Sequence, residues 1–321
     1  MINQLNFENK NQIKKVEEFL QKNSSFEYLQ SVEWNKIRTE KNKFFLFFEE
    51  AGEIVWSCSL FEKQIDGEVI VYAPRGPVLD YENKEQLKCF FENISVWCKS
   101  HGYQKLVMNP VIFEKQLKNF PKNLNFSVKN ATDFANLLES PKLALMNVDA
   151  SEEVLFSKLS ARTRRSVRKA YKNSLELKVS KNINLDEFLR LYGETSQRHG
   201  FHAHDRAYFE KILNTFENVV CFEVWHEGVA VAMAIDLIYE GKLVYAYGAS
   251  SSKHRELASM FFLHFEAIKY AVNKNIPVYD FGGVFCTDEN TESKDFGLYS
   301  FKKGFCYDGF TDIVPDIWIS F

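Results

Sequence analysis

The chain has 321 residues, 45% of them hydrophobic and 15% aromatic with 30 phenylalanines, which is material for two domains or one large one. A formal net charge of −3 excludes the whole surface as a polyanion binder, so any nucleic-acid contact has to come from a local patch. Six cysteines without a Cys-x-x-Cys pair argue against a zinc site or a disulfide framework and fit reduced thiols in the cytoplasm; no apolar signal segment opens the sequence, and no run of 18 apolar residues is present to span a membrane.

Residues Ile13–Lys22 place Val16, Phe19 and Leu20 among charges and predict an amphipathic helix. A second helix is expected over Phe26–Arg38, containing Trp34 and Lys36. Phe44–Phe48 and Ile54–Phe61 read as strands joined by Glu-Ala-Gly-Glu, a hairpin signal. Val69–Tyr72 is a further strand, ended by Ala-Pro-Arg-Gly-Pro, which no regular element accommodates. Lys84–His101 carries Leu87, Phe90, Phe91, Ile94 and Trp97 on one side and predicts a helix, followed by the strand Lys105–Met108 and Asn109-Pro110.

The second half repeats this order. Val219–Val224 and Val229–Ile238 flank His-Glu-Gly, Leu243–Tyr247 is a strand, Leu257–Asn273 a helix, and Pro277–Phe281 a strand stopped by Gly282-Gly283. The offsets are steady: 176 positions from Gly52 to Gly228, 173 from Tyr72 to Tyr245, 171 from Asn109 to Asp280. A duplicated unit follows. Hairpin, strand, helix, strand is the order of the GNAT acyltransferase fold, so the fold class is α/β, two mixed sheets with helices on both faces.

Chemistry concentrates in three places. Lys158–Lys172 holds Lys158, Arg162, Arg164, Arg165, Arg168, Lys169 and Lys172 without an acid. On a helix Arg162, Arg165, Arg168 or Lys169, and Lys172 share a face, a repulsive arrangement that a phosphate backbone would offset and that a solvated helix would simply tolerate. Between the two halves, Asp149–Asn173 reads as a loop and then a basic helix. His199, His202 and His204 lie close to Arg198, Arg206 and Tyr208; without ligand-like carboxylate or thiol spacing, anion recognition is favoured over a metal. Lys302 and Lys303 follow Tyr299 and Phe301, after an acidic loop at Thr287–Asp295, so a lysine between aromatic residues could face a developing negative charge. Neither half shows the Arg/Gln-x-x-Gly-x-Gly/Ala loop that holds a CoA pyrophosphate at a helix N-terminus, so CoA is not the expected donor and no cofactor is expected.

Tyr245-x-Tyr247-Gly-Ala-Ser, Tyr279-Asp280-x-Gly282-Gly283, Gly297-Leu-Tyr-x-Phe301-Lys302-x-x-Phe305, Gly76-Pro77 and Ser160-x-x-Thr163-Arg164-x-x-x-Arg168-Lys169 together resemble the Fem family (FemABX), tRNA-dependent aminoacyltransferases that build peptidoglycan bridges. The resemblance covers nearly the whole chain. It implies two GNAT-like domains with a cleft between them, here residues 1–148 on the precursor side and 149–305 on the aminoacyl-tRNA side, with 306–321 free to return to the first. Residues 173–277 leave no room for the family's helical arm, so the compact form is expected.

The resemblance further implies an amine of a precursor's stem peptide attacking the ester of an aminoacyl-tRNA. Phe301-Lys302 matches the motif whose lysine stabilises the oxyanion. Lys36 resembles a lysine that contacts the precursor's diphosphate, and Tyr208 and Tyr247 match cleft tyrosines. Two departures stand out. His204 replaces a family arginine, leaving Arg206 two residues on, and Asn109 replaces an aspartate once considered as a base. An amide takes up no proton at neutral pH, so the donor's ribose hydroxyl or a water is left to relay it. Arg162, Arg164, Arg165, Arg168, Lys169 and Lys172 would then face the tRNA. The acceptor is the UDP-linked pentapeptide precursor or its lipid-linked form; the protein is expected to be a monomer in the cytoplasm or at the inner membrane face. Two other readings stand beside this one: a GNAT-type N-acyltransferase with another donor, and a non-catalytic RNA- or precursor-binding protein.

Overall fold

A computed structural model describes residues 2–25, 27–131, 133 and 137–321. It divides into one unit of residues 1–141 with 312–321 and a second of residues 142–311. The first contains β1 (Ile2–Gln4), α1 (Lys10–Gln21), α2 (Val32–Ile37), β2 (Lys43–Glu50), β3 (Glu53–Ile65), β4 (Glu68–Ala73), α3 (Lys84–Ser100), β5 (Lys105–Met108), α4 (Glu114–Leu117) and β6 (Phe126–Val128). The second contains β7 (Lys142–Asn147), α5 (Glu152–Lys158), α6 (Ala161–Ala170), β8 (Glu176–Ser180), α7 (Leu185–His199), α8 (Arg206–Thr215), β9 (Val219–His226), β10 (Val229–Tyr239), β11 (Lys242–Ser250), α9 (Ser259–Asn273), β12 (Val278–Gly283) and α10 (Phe296–Phe305), with β13 (Thr311–Asp312) at its sheet edge. The chain then adds β14 (Ile317–Ser320) to the first sheet.

The two sheets have one plan. The first runs β1-β2-β3-β4-β5-β14-β6 and the second β8-β9-β10-β11-β12-β7-β13. In each, one parallel pair sits among antiparallel hairpins: β4 with β5, and β11 with β12, each over three residues. Matching turns set the register. Ala51-Gly52, Asp66-Gly67, Glu227-Gly228 and Glu240-Gly241 all hold two successive positive φ angles, the signature of the two-residue turn whose twist suits a hairpin. The duplication expected from spacing therefore reaches down to individual backbone angles.

The sixth strand of each sheet comes from elsewhere in the chain. β7 pairs with β12 and draws residues 142–147 into the second unit, which moves the division from 148/149 to 141/142. β14 pairs with β5 on one side and β6 on the other, so 312–321 return to the first unit, while 306–311 stay in the second.

Strand alternation builds the cores. Leu60, Val71, Ala73, Leu106 and Met108 face the main core of the first unit, whereas Phe61, Ile70, Tyr72 and Val107 form a smaller cluster on the other face. Leu87, Phe90, Phe91, Ile94 and Trp97 of α3 are buried as expected, and each such side chain adds about 1.5–3 kcal/mol of transfer free energy. The side chain of Asn83 caps α3 by accepting from the amides of Glu85 and Gln86.

Three local expectations change. The stretch expected as one helix from Phe26 is a 3-10 turn at Tyr28–Gln30 followed by α2, because Ser31 starts a new helix by capping Trp34; Phe26 itself lies outside the described residues. The basic stretch is two helices, not a loop and one helix: Ser151 caps α5 and Ser160 caps α6. Gly282 and Gly283 do not stop the strand, since β12 runs through both and Gly283 pairs with Leu143. Among the described residues, no helix is long and apolar enough to cross a membrane.

Candidate functional site

Helix α10 places Lys302 inside the second unit. Gly304 is what lets it dock: a Cβ there would lie 2.1 Å from Thr163 Oγ1, and the Ser160 amide donates to the Gly304 carbonyl at 3.0 Å. On its apolar side, Phe301 packs against Phe261, Phe305 and His264 at ring separations of 4.9, 5.2 and 5.2 Å. These contacts fix the rotation of the helix. Lys302 is buried, and its ammonium donates to the Gly283 carbonyl at 2.7 Å, while its neighbour Lys303 is exposed and paired with Asp288 at 2.6 Å. A shared motif thus yields one interior and one solvated lysine.

Burial lowers the Lys302 pKa from 10.5 to about 8, against the pull of nearby Asp280, which acts to raise it. His264 is pushed down to about 3 by burial and then by the Lys302 charge, so it stays neutral and donates to or accepts from the Tyr279 hydroxyl at 2.8 Å. A cation is therefore held in a dry, aromatic setting, where it acts more strongly on a developing negative charge than it would in water. Lys302 lines a concavity with Gly283, Val284, Phe285, Asp295, Leu298 and Tyr299.

His204, Tyr208 and Tyr247 come together in the same unit. Asp205 caps α8 by accepting from the Tyr208 amide at 2.9 Å, which sets Tyr208 in the first turn and gives that aspartate a structural duty. The Tyr208 and Tyr247 hydroxyls share a hydrogen bond of 2.7 Å, and His204 stacks on Tyr208 at 3.8 Å. Burial, then His202, lowers the His204 pKa, so this histidine is uncharged at neutral pH and does not replace an arginine electrostatically. Arg206 does not join them: it pairs with Asp186, and with Glu210 at 3.9 Å. Among the described residues no cluster of three or more metal-binding side chains occurs.

The basic helix keeps most of its charge outward. Thr163, Val167 and Ala170 are its buried face; Arg162, Arg165, Arg168 and Lys169 are exposed. One residue departs from the expected face: Lys172 lies past the end of α6. Arg164, expected toward the tRNA but not on that face, is tied to backbone, donating to the carbonyls of Ser157, at 2.8 Å, and Leu159. Because Gly304 seats α10 on Ser160 and Thr163, this helix braces the one that carries Lys302.

In the first unit, Lys36 is exposed in the last turn of α2. Asn109 is buried and saturated: it donates to the Tyr72 hydroxyl at 2.8 Å and to Asp316 at 2.9 Å, and accepts from the Arg75 amide at 2.8 Å. Sequence reasoning missed the neighbourhood that makes Lys302 unusual: His264, the Gly283 carbonyl, Gly304 and Asp295. The closely spaced Gly282-Gly283 and Gly304 were the visible signals; nothing local marked His264.

Comparison with known proteins follows the same lines. A family model described as the FemAB family matches residues 12–226, and one described as an acetyltransferase (GNAT) domain matches residues 157–303. The chain is 21% identical over 325 residues to a UDP-N-acetylmuramoylpentapeptide-lysine N(6)-alanyltransferase of Weissella viridescens, covering 98% of this chain and 95% of that protein. It is 23% identical over 304 residues to a lipid II:glycine glycyltransferase of Staphylococcus epidermidis, covering 73% of each. A solved structure of FemX aligns with a TM-score of 0.84 at 19% identity, spanning 100% of this chain and 97% of that one, a likeness of fold.

Proposed function

The chain belongs to the FemAB family, and on that footing we propose that it is an aminoacyltransferase moving an amino acid from aminoacyl-tRNA to an amine on the stem peptide of a peptidoglycan precursor. The observation that carries this reading is the buried ammonium of Lys302, held by the Gly283 carbonyl at the wall of a concavity. The amine nitrogen attacks the ester carbonyl and forms a C–N bond. The carbonyl oxygen becomes an oxyanion, and one such donor supplies about 3–4 kcal/mol to its stabilisation. On collapse the ester C–O bond breaks, the ribose oxygen leaves, and the proton given up by the amine ends on that oxygen, through the neighbouring hydroxyl or a water. Asn109 takes no part in this transfer, since its amide is occupied on both ends.

The exposed cations of α6 suit the phosphates of the donor, and the relatives' names support a cell-wall acceptor, UDP-linked or lipid-linked. Charged tRNA places the protein's work in the cytoplasm. The Tyr208–Tyr247 pair and Lys36 are assigned to the acceptor.

The test is incubation with a mixture of charged tRNAs, acetyl-CoA and either precursor, with the product weighed by mass spectrometry. A gain of one amino-acid residue supports the reading; turnover with acetyl-CoA alone overturns it. Within that assay, replacing Arg162, Arg165 and Lys169 together by Glu is expected to raise the KM for charged tRNA by about 10- to 100-fold with kcat little changed. The slope of log KM against log salt should flatten by about two to three. An unchanged KM would remove α6 from the donor site.

A further inference from the structure

The Ser160-x-x-Thr163-Arg164 motif carries two residues that the reaction above leaves without a task. Ser160 stands at the start of α6, where backbone amides lack helical partners, and its amide donates at 3.0 Å to the carbonyl of Gly304, near the end of α10, where carbonyls lack them. The two open helix ends satisfy each other. The Ser160 hydroxyl accepts from the Thr163 amide at 3.2 Å and donates to Thr163 Oγ1 at 2.9 Å, which holds that oxygen in place. Thr163 is 2% exposed, and Gly304 lies against it. A Cβ at 304 would fall 2.1 Å from Thr163 Oγ1, 3.2 Å from Ser160 Oγ and 3.5 Å from Thr163 Cβ. Gly304 has no positive φ, and glycine forms helix less well than alanine, so the tight space and not its backbone explains its place in α10.

We propose that Ser160 and Thr163 are positioning residues for aminoacyl transfer: they form a socket that admits only glycine at 304 and so fix where Lys302 stands relative to the bound tRNA. The proposal rests on the aminoacyl-transfer reading and adds how its two cationic parts are kept in register. The socket belongs to the inner face of α6, and Arg162, Arg165 and Lys169 stand exposed on the outside of the same helix. One helix thus carries both the cations assigned to the tRNA phosphates and the seat of the helix that bears Lys302. Lys302 lies two residues before Gly304, and its ammonium reaches the Gly283 carbonyl at 2.7 Å. With a Cβ at 304, α10 would have to back away from Thr163 by about 1 Å, and a misplacement of that size can cost about 100-fold in rate.

The experiment measures kcat, the KM for charged tRNA and the pH midpoint of the single-turnover rate for the wild type, Gly304→Ala, Thr163→Ala and the two substitutions together. Gly304→Ala is expected to lower kcat by about 10- to 100-fold with the KM for charged tRNA little changed, since the outer cations of α6 are intact. Its rate midpoint should move from about 8 toward 10.5, because a displaced Lys302 regains water. The charged and titratable groups around Lys302 are Asp280 on β12, His264 on α9, and Asp295, Tyr299 and Cys306 on or beside α10, and none of them is altered. Adding Thr163→Ala removes the hydroxyl that the new Cβ would strike, so the double variant should regain the kcat and midpoint of Thr163→Ala alone. Thr163→Val fills the space of threonine, and combined with Gly304→Ala it should stay slow. Thermal midpoints check that each variant is folded. A Gly304→Ala protein with wild-type kcat and midpoint, or a double variant that does not regain them, overturns the socket and leaves aminoacyl transfer standing. If charged tRNA supports no turnover by the wild type, the aminoacyl-transfer reading falls and the positioning role falls with it.

Discussion

Lys302→Met is expected to lower the transfer rate by about two to three orders of magnitude while leaving the protein at least as stable as before. The rate loss is that of removing one well-placed donor to an oxyanion, about 3–4 kcal/mol. The stability effect runs the other way. Lys302 is only 6% exposed, and burial outweighs Asp280 in setting its pKa near 8 rather than 10.5. At about 1.4 kcal/mol per pKa unit, that gap means the charged form costs the fold about 3 kcal/mol below pH 8. Methionine removes the charge and keeps most of the stem's packing. It also leaves Asp280 without its cation, although the Gly282 amide still donates to that carboxylate at 2.7 Å, so the net gain is smaller than 3 kcal/mol.

The same group gives the wild type two opposed pH slopes. Between about pH 8 and 10.5 the folded state binds fewer protons than the unfolded one, so stability rises with pH across that window. The transfer rate falls across it, because the neutral amine has no charge to offer. Single-turnover rates and thermal midpoints from pH 7 to 10 measure both, and Lys302→Met should lose both slopes. A Lys302→Met protein with the wild-type rate would end the oxyanion role.

Asn109→Leu is expected to destabilise the first unit by about 3 kcal/mol at pH 7. The substitution keeps the volume but removes the donor to Asp316 Oδ1 and the acceptor of the Arg75 amide, and buried groups left unpaired cost about 1–3 kcal/mol each. Asp316 is fully buried, and burial raises its pKa in spite of donors from Leu138 and Asn109. Losing one donor raises it further. An acid raised in the folded state is destabilising once ionised, so the loss should shrink as pH falls through that raised pKa. Urea unfolding at pH 7 and pH 5 checks both statements. Rate collapse with stability intact would instead restore Asn109 to the chemistry.

What was legible in the sequence were features carried by a segment's own pattern. The α3 stripe, the Gly52 and Gly228 turns and the aromatic-lysine motif are local, and each is where it was expected. β7 and β14 were not seen. Each is short, and each is a strand because of its partners: β14 pairs residues near 318 with residues near 107 and 127. Glu62–Gln64 extend β3 beyond its apolar run only because β4 lies alongside. In the site, Lys302 could be singled out from its neighbours Tyr299 and Phe301, but its separation from Lys303 depends on the docking of α10 through Gly304, which is tertiary. Arg206 was visible in the sequence, but its pairing with Asp186, twenty residues earlier, was not.

The place of β14 between β5 and β6 bears on how the molecule comes into being. A ribosome delivers β1 through β6 first, yet β5 and β6 have no strand between them until residues 312–321 emerge. The nascent chain therefore carries an open sheet flank, an invitation to wrong pairing, throughout the synthesis of the entire second unit. The usual order, in which the earlier domain matures before the later one, is reversed here: the later half can finish alone, and the earlier half waits for the last strand to close it.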